Sequence, residues 1–242
     1  TTNFINVPSK ATFPLLNLCI VTITKIKEDF FMKTEIVFIL DKSGSMAGLE
    51  KDTIGGFNAL IEKQKQMEGE VTVTTVLFNH DYTLLHDRIN IKGIAPLTEA
   101  HYSVSGTTAL LDALGNSIKK MQHIQNATLK EAQPDKIIFV ITTDGEENSS
   151  TQYNIQTIKK LISKQKELGW EFMFLGANID AIQTASKMGL HANDAVDFIA
   201  DSQGTKVIYE SLSAQIYHLR ANGKREENWK EAIEKDTNTR KK

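Results

Sequence analysis

The chain has 242 residues, 40% of them hydrophobic and 24% charged, the make-up of an ordinary globular protein with room for a single α/β core and some additional segments. A formal charge of −2 offers no net attraction to nucleic acid or to an anionic membrane, and no stretch approaches the roughly 20 apolar residues of a membrane span, so neither partner is expected. The single cysteine, Cys19, can form no internal disulfide, which excludes a disulfide-stapled fold and fits a cytoplasmic location.

Residues 1–31 carry no turn-bounded periodic pattern and contain Pro8 and Pro14. Their apolar run, Leu15 to Ile23, is short and interrupted by Asn17 and Thr22, and no clear cleavage pattern follows it, so it is not read as an export signal. Met32-Lys33-Thr34 looks like a translation start. Residues 1–31 are therefore expected to be an N-terminal extension outside the domain, with an added edge strand over Leu18 to Ile23 as the alternative.

Ile36 to Leu40 form five consecutive apolar residues with the length and β-branched, aromatic content of a strand buried on both faces of a parallel sheet. The run ends at Asp41, after which Ser43 and Ser45 place two hydroxyls at alternate positions of a short glycine-containing turn. One carboxylate and two hydroxyls can then converge as hard oxygen donors, suited to magnesium, manganese or calcium. Ile54, Phe57, Leu60, Ile61 and Met67 recur at helical spacing. Gly55 and Gly56 interrupt that helix at about 1 kcal/mol each relative to alanine, a cost that either close packing against the sheet would offset or fraying would express.

Val71 to Phe78, the turn at Asn79-His80-Asp81 and Tyr82 to Asp87 predict a β-hairpin whose second strand is an antiparallel edge, because so short a loop cannot make a parallel crossover. His80 and Asp81 read as solvated turn residues. A loop from Ile89 to Tyr102 leads to Ser105–Leu114, SGTTALLDAL, in which two threonines open a helix carrying Leu110, Leu111, Leu114, Ile118 and Met121. Ile137 to Ile141 repeat the buried-strand pattern and lead through Thr142 and Thr143 to Asp144 and Gly145; Glu146 and Glu147 read as solvated loop acids.

Further helices are predicted over Ile155 to Ile162, Ile179 to Met188 and Ile208 to Leu219, and strands over Trp170 to Leu175 and Ala195 to Ala200. Asn178 and Asp180 are candidates for the outer wall of the site, although Asp180 is equally a helix N-terminal acid favoured by the dipole. Residues 223–242 are dense in charge and read as a frayed helical tail, with Trp229 its one sign of docking. Alternating strands and helices predict an α/β, doubly wound, mostly parallel sheet with one antiparallel edge strand and helices on both faces. Both aspartates then fall at the carboxyl ends of strands, where such sheets bind ligands.

The ordered set DKSGSM, SGTTALLDAL and TTDG resembles the von Willebrand factor type A (VWA) domain, over about Met32 to Ala221, and is similar to stand-alone prokaryotic members of that family. The resemblance implies the Rossmann-like VWA fold over residues 32–222, and a metal-ion-dependent adhesion site (MIDAS) at Asp41, Ser43, Ser45, Thr108 and Asp144. Thr107 is the alternative to Thr108. The implied cofactor is Mg2+ or Mn2+, ahead of Ca2+, and the implied partner is a protein offering an Asp or Glu carboxylate to the ion.

Two alternatives stand beside this binding module: an adaptor subunit for an ATPase in an ATP-driven assembly, and a metal-dependent phosphohydrolase. The second lacks support in the residues, because no second carboxylate follows Asp41 at the phosphatase spacing. The histidines are scattered without zinc or protease spacing, and nucleotide-binding glycine motifs are absent. The chain is therefore read as a non-enzyme.

Overall fold

The computed structural model describes residues 32–177 and 180–240. The extension 1–31 with its possible edge strand and Cys19, and the positions Asn178 and Ile179, lie outside the described residues. Six strands form one sheet: β1 (Thr34–Asp41), β2 (Val71–Phe78), β3 (Tyr82–Asn90), β4 (Lys136–Thr143), β5 (Glu171–Ala177) and β6 (Ala195–Phe198), in the order β3-β2-β1-β4-β5-β6. All neighbours are parallel except β2 and β3, the predicted antiparallel edge. The edge strand runs past the expected Asp87 to Asn90 through register shifts, with Arg88 at φ 51. Irregularities of this kind disfavour pairing of an open edge with other chains.

The helices are α1 (Glu50–Lys65), α2 (Leu110–Ala127), α3 (Ile155–Glu167), α4 (Ala181–Lys187), α5 (Ser202–Asn222) and α6 (Glu231–Arg240). Side chains alternate along a strand, so each central strand feeds two cores. Ile36, Phe38 and Leu40 of β1 meet Phe57, Leu60 and Ile61 of α1 and Ile208, Leu212 and Ile216 of α5. Val37 and Ile39 face the opposite core with Leu110, Leu114 and Ile118 of α2, Ile158 and Ile162 of α3, and Ala181 and Ala185 of α4. Burying each large apolar side chain contributes about 1.5–3 kcal/mol, which is why these unbroken apolar runs occupy the centre of the sheet. No helix among the described residues is long and apolar enough to cross a membrane.

From β1 the chain crosses by α1 to β2 on one side, and from β4 it crosses by α3 to β5 on the other. Right-handed crossovers travelling in opposite directions must use opposite faces of a sheet, so a crevice opens between the carboxyl ends of β1 and β4. The register pairs Leu40 with Thr142, placing Asp41 beside Thr143 at that crevice.

Two expectations are corrected. Gly56 is explained by α5 rather than by the sheet: a Cβ there would lie 2.2 Å from the Tyr209 ring, whereas one at Gly55 would meet nothing. The C-terminal segment is not frayed. Its helix α6 packs on α5 and β6, with Trp229 and Ile233 buried in the same core as α1, and the Trp229 indole N–H donates to Asn193 O at 3.0 Å. The segment covers β6, whose edge would otherwise be open.

Candidate metal centre

Asp41 ends β1 almost wholly buried, at 1% exposure. Its Oδ1 accepts from Ser43 N at 2.7 Å and its Oδ2 from Thr143 Oγ1 at 2.5 Å, while its carbonyl accepts from the Tyr102 hydroxyl. Ser43 precedes a single 3-10 turn, Gly44–Met46, that brings the two serine hydroxyls to 3.1 Å from each other. Ser45 Oγ then donates to Asp144 Oδ1 at 2.6 Å, so the turn after β1 bridges directly to the loop after β4.

The threonine loop closes the third side. Gly44 N donates to Gly106 O at 3.0 Å, and Gly106, at φ 76, takes a backbone conformation that glycine adopts without strain. Thr108 is buried and Thr107 exposed, which separates the two sequence candidates. A Cβ at Gly145 would lie 2.8 Å from Thr108 Oγ1 and 3.0 Å from Ser45 Oγ. These two hydroxyls therefore converge on the space that this glycine leaves open beside Asp144. All five sequence-predicted residues meet in one crevice.

Burial pushes the Asp41 carboxyl above its ordinary value of 3.8; hydrogen bonds from Thr143 and Ser43 oppose the rise, and the neighbouring Asp144 charge adds to it. Asp144, at 6% exposure, is likewise raised by burial and drawn back by Ser45. Among the described residues no lysine, arginine or histidine forms an ion pair with either. Two desolvated carboxylates beside three hydroxyls, with no cation bonded to them, make a hard-oxygen set that a divalent ion fits.

The outer residues divide. His80 is exposed and packs over Gly106, where a Cβ would lie 2.2 Å from its Nδ1, so it stands at the rim. Asp180 caps α4 by accepting from Gln183 N at 2.8 Å. Glu146 is exposed, as expected, but Glu147 is not merely a solvated acid. Its Oε1 accepts from the amides of Ser149 and Ser150, and its Oε2 from Ser150 Oγ and Leu111 N.

Three further supports were not singled out from the sequence. Thr143 bonds Asp41, Asn148 bonds both peptide groups of Thr108, and Asp112 accepts from the amides of Thr151, Gln152 and Tyr153. The available signal was the run of Ser, Thr, Asn, Asp and Glu around TTDGEENSS, residue types that bond nearby backbone.

No protein-family model matches the sequence, and no curated protein does. Similarity is found among solved structures. The chain is similar to the vWF domain of the type V pili tip protein Mfa5 from Porphyromonas gingivalis, with a TM-score of 0.57 and 11% identity, over 80% of this chain and 98% of that one. It is also similar to proximal thread matrix protein 1 from the mussel byssus with a zinc-occupied MIDAS motif, with a TM-score of 0.54 and 14% identity, over 77% of this chain and 46% of that one. A third similar structure is a von Willebrand factor type A protein from Catenulispora acidiphila, with a TM-score of 0.52 and 14% identity, over 76% of this chain and 42% of that one. The chain thus spans nearly all of the pilus-tip domain and less than half of the other two proteins.

Proposed function

We propose that this chain, which folds as a von Willebrand factor type A domain, is a divalent-metal-dependent protein-binding module: Asp41, Ser43, Ser45, Thr108 and Asp144 hold a magnesium or manganese ion, and the ion accepts an Asp or Glu side chain of a protein partner. The observation that carries the reading is the meeting of two buried carboxylates and three hydroxyls at the carboxyl ends of β1 and β4, with no ion-paired lysine, arginine or histidine among the described residues. A zinc-occupied MIDAS motif in a byssus protein of similar fold supports a divalent ion here.

The ion supplies a positive charge that an incoming carboxylate satisfies. The chain's own residues set how much of that charge remains. Three of the five donors are neutral hydroxyls, and both oxygens of Asp41 are already engaged by Ser43 and Thr143. Asp144 Oδ1 accepts from Ser45 Oγ, so this carboxylate links the turn after β1 to the ion or to its water. A set of five oxygens suits magnesium or manganese, which take six donors and keep waters, better than calcium with its six to eight.

Among the described residues no histidine bonds Ser43 or Ser45, so a histidine-activated serine nucleophile finds no support here. The lone Cys19 supports a cytoplasmic setting.

Calorimetric titration of magnesium and manganese into wild type and Asp144→Ala tests the site, and retention of partner proteins with and without chelator tests the function. Saturable binding lost in the variant, with chelator-sensitive capture, is the expected result. Equal ion affinity in both proteins would refute it.

A further inference from the structure

Thr108 is the one donor of the five that lies neither at a strand end nor in the turn after β1. It sits between Gly106 and Ala109, the residue flanking α2, in a loop whose helix end carries no side-chain cap from its own N-cap position. Such a loop has no ladder of its own to hold it. Its flanks are tied by Ser105 N to Lys42 O, Gly44 N to Gly106 O and Ala109 N to Asn79 O, and Thr108 itself is met by one residue from the loop after β4: Thr108 N donates to Asn148 Oδ1 at 2.9 Å, and Asn148 N donates to Thr108 O at 3.1 Å. The Thr108 N–H and carbonyl are thus both bonded to Asn148, while Ala109 N, in the peptide that follows Thr108, donates to Asn79 O at 2.8 Å; together these bonds orient the Thr108 Cα–Cβ bond towards the space beside Gly145.

Resting on the metal-site reading above, we propose that Asn148 is a positioning residue that sets Thr108 for the ion. Asn148 follows Asp144 by four residues, so its two bonds tie a donor from the α2 side to the loop that carries the second aspartate. That loop is itself tied by hydrogen bonds. Glu147 gathers the Ser149 and Ser150 amides and reaches across to Leu111 N, and Asp112 of α2 gathers the amides of Thr151, Gln152 and Tyr153 in return. Bonds run both ways across the seam, and none of them uses the metal. Thr108 and Asp144 are therefore held in register before an ion arrives, which lowers the ordering cost of binding.

Asparagine suits the position because its side-chain carbonyl accepts the Thr108 N–H while its own backbone N–H serves the Thr108 carbonyl. Alanine deletes the first bond and keeps the second, loosening the peptide before Thr108 while the one after it stays bonded to Asn148 N and Asn79 O. Outer partners that orient a metal ligand are typically worth about ten- to a hundredfold in metal affinity.

The test is a cycle of manganese affinities, measured by calorimetry, on wild type, Asn148→Ala, Thr108→Ala and the double variant, with thermal unfolding in chelator recorded for each. Asn154→Ala serves as the control. Asn154 lies in the same loop and caps α3 by accepting from Thr157 N at 2.9 Å, with no bond to Thr108. The expected result is an affinity about tenfold weaker in Asn148→Ala and a double variant no weaker than Thr108→Ala within about twofold, because residues acting through one another are not additive. Asn154→Ala should bind as wild type.

Additive losses, an unaltered Asn148→Ala, or an equal loss in Asn154→Ala would each overturn the proposal. Failure of the wild type to bind manganese, or an unaltered Thr108→Ala, would overturn the metal site itself and is recognisable as such. If Asn148→Ala does not fold, Asn148→Gln displaces the acceptor by one bond and enters the same cycle.

Discussion

Gly145→Ala is the most direct probe of the crevice, because it adds one methyl group and removes no donor. The backbone there does not lie in the left-handed region, so alanine is sterically allowed by its own chain. The added Cβ, however, would lie 2.8 Å from Thr108 Oγ1 and 3.0 Å from Ser45 Oγ, short of the ordinary 3.4 Å contact by about 0.6 and 0.4 Å. Metal–ligand distances tolerate about 0.2 Å, so separating the hydroxyls enough to clear the methyl takes both beyond coordinating positions. Overpacking of this kind costs about 1–3 kcal/mol of stability, which a domain of this size survives. Manganese affinity should fall by about a hundredfold while thermal unfolding in chelator drops by only a few degrees. Calorimetric titration reads the first and circular dichroism the second. Affinity within about twofold of wild type would refute the placement of Thr108 and Ser45 in the ion's shell.

Four further outcomes are expected. Thr107→Ala should bind manganese as wild type and Thr108→Ala about tenfold or more weakly, since only the second is buried in the crevice; equal losses on titration would remove the distinction. In chelator at neutral pH, Asp41→Asn should be more stable than wild type, because it relieves a desolvated carboxylate beside Asp144. Since burial raises the folded-state pKa above 3.8, that advantage is full above the raised value and fades as pH falls through it towards 3.8, as denaturant titrations across pH would show. Arg220→Ala should cost about 3 kcal/mol in urea unfolding, because this fully buried guanidinium donates to Gln64 Oε1 at 2.7 Å and to the Glu68 carbonyl at 2.6 Å at the end of α1. Trp229→Ala should cost about 3–5 kcal/mol by the same measure, whereas a frayed tail would lose almost nothing.

How far the chain could be read in advance follows from where each signal is stored. The strands ending at Asp41 and Asp144 were legible because a parallel strand buried on both faces is written as an unbroken apolar run, and the hairpin because its loop is too short to cross over. The packing of the last helix was not legible: Trp229, Ala232 and Ile233 are the only apolar residues from Gly223 onward, too few to show a period. Glu147 looked like a solvated loop acid and Asn148 drew no reading, because their distant partners, Leu111 and Thr108, are met through backbone amides, 36 and 40 residues away. A backbone amide leaves no trace in a side-chain pattern.

Local patterning by itself determined the alternating α/β order, the antiparallel edge and the two aspartates at strand ends, since each depends on residues adjacent in the chain. Only the tertiary structure decided that Thr108 rather than Thr107 turns inward, that Gly56 answers to Tyr209, and that Ser45 reaches Asp144. Those outcomes depend on atoms brought together from separate segments, and the closeness of such atoms is a property of the packed sheet and its crossovers rather than of any single stretch of sequence.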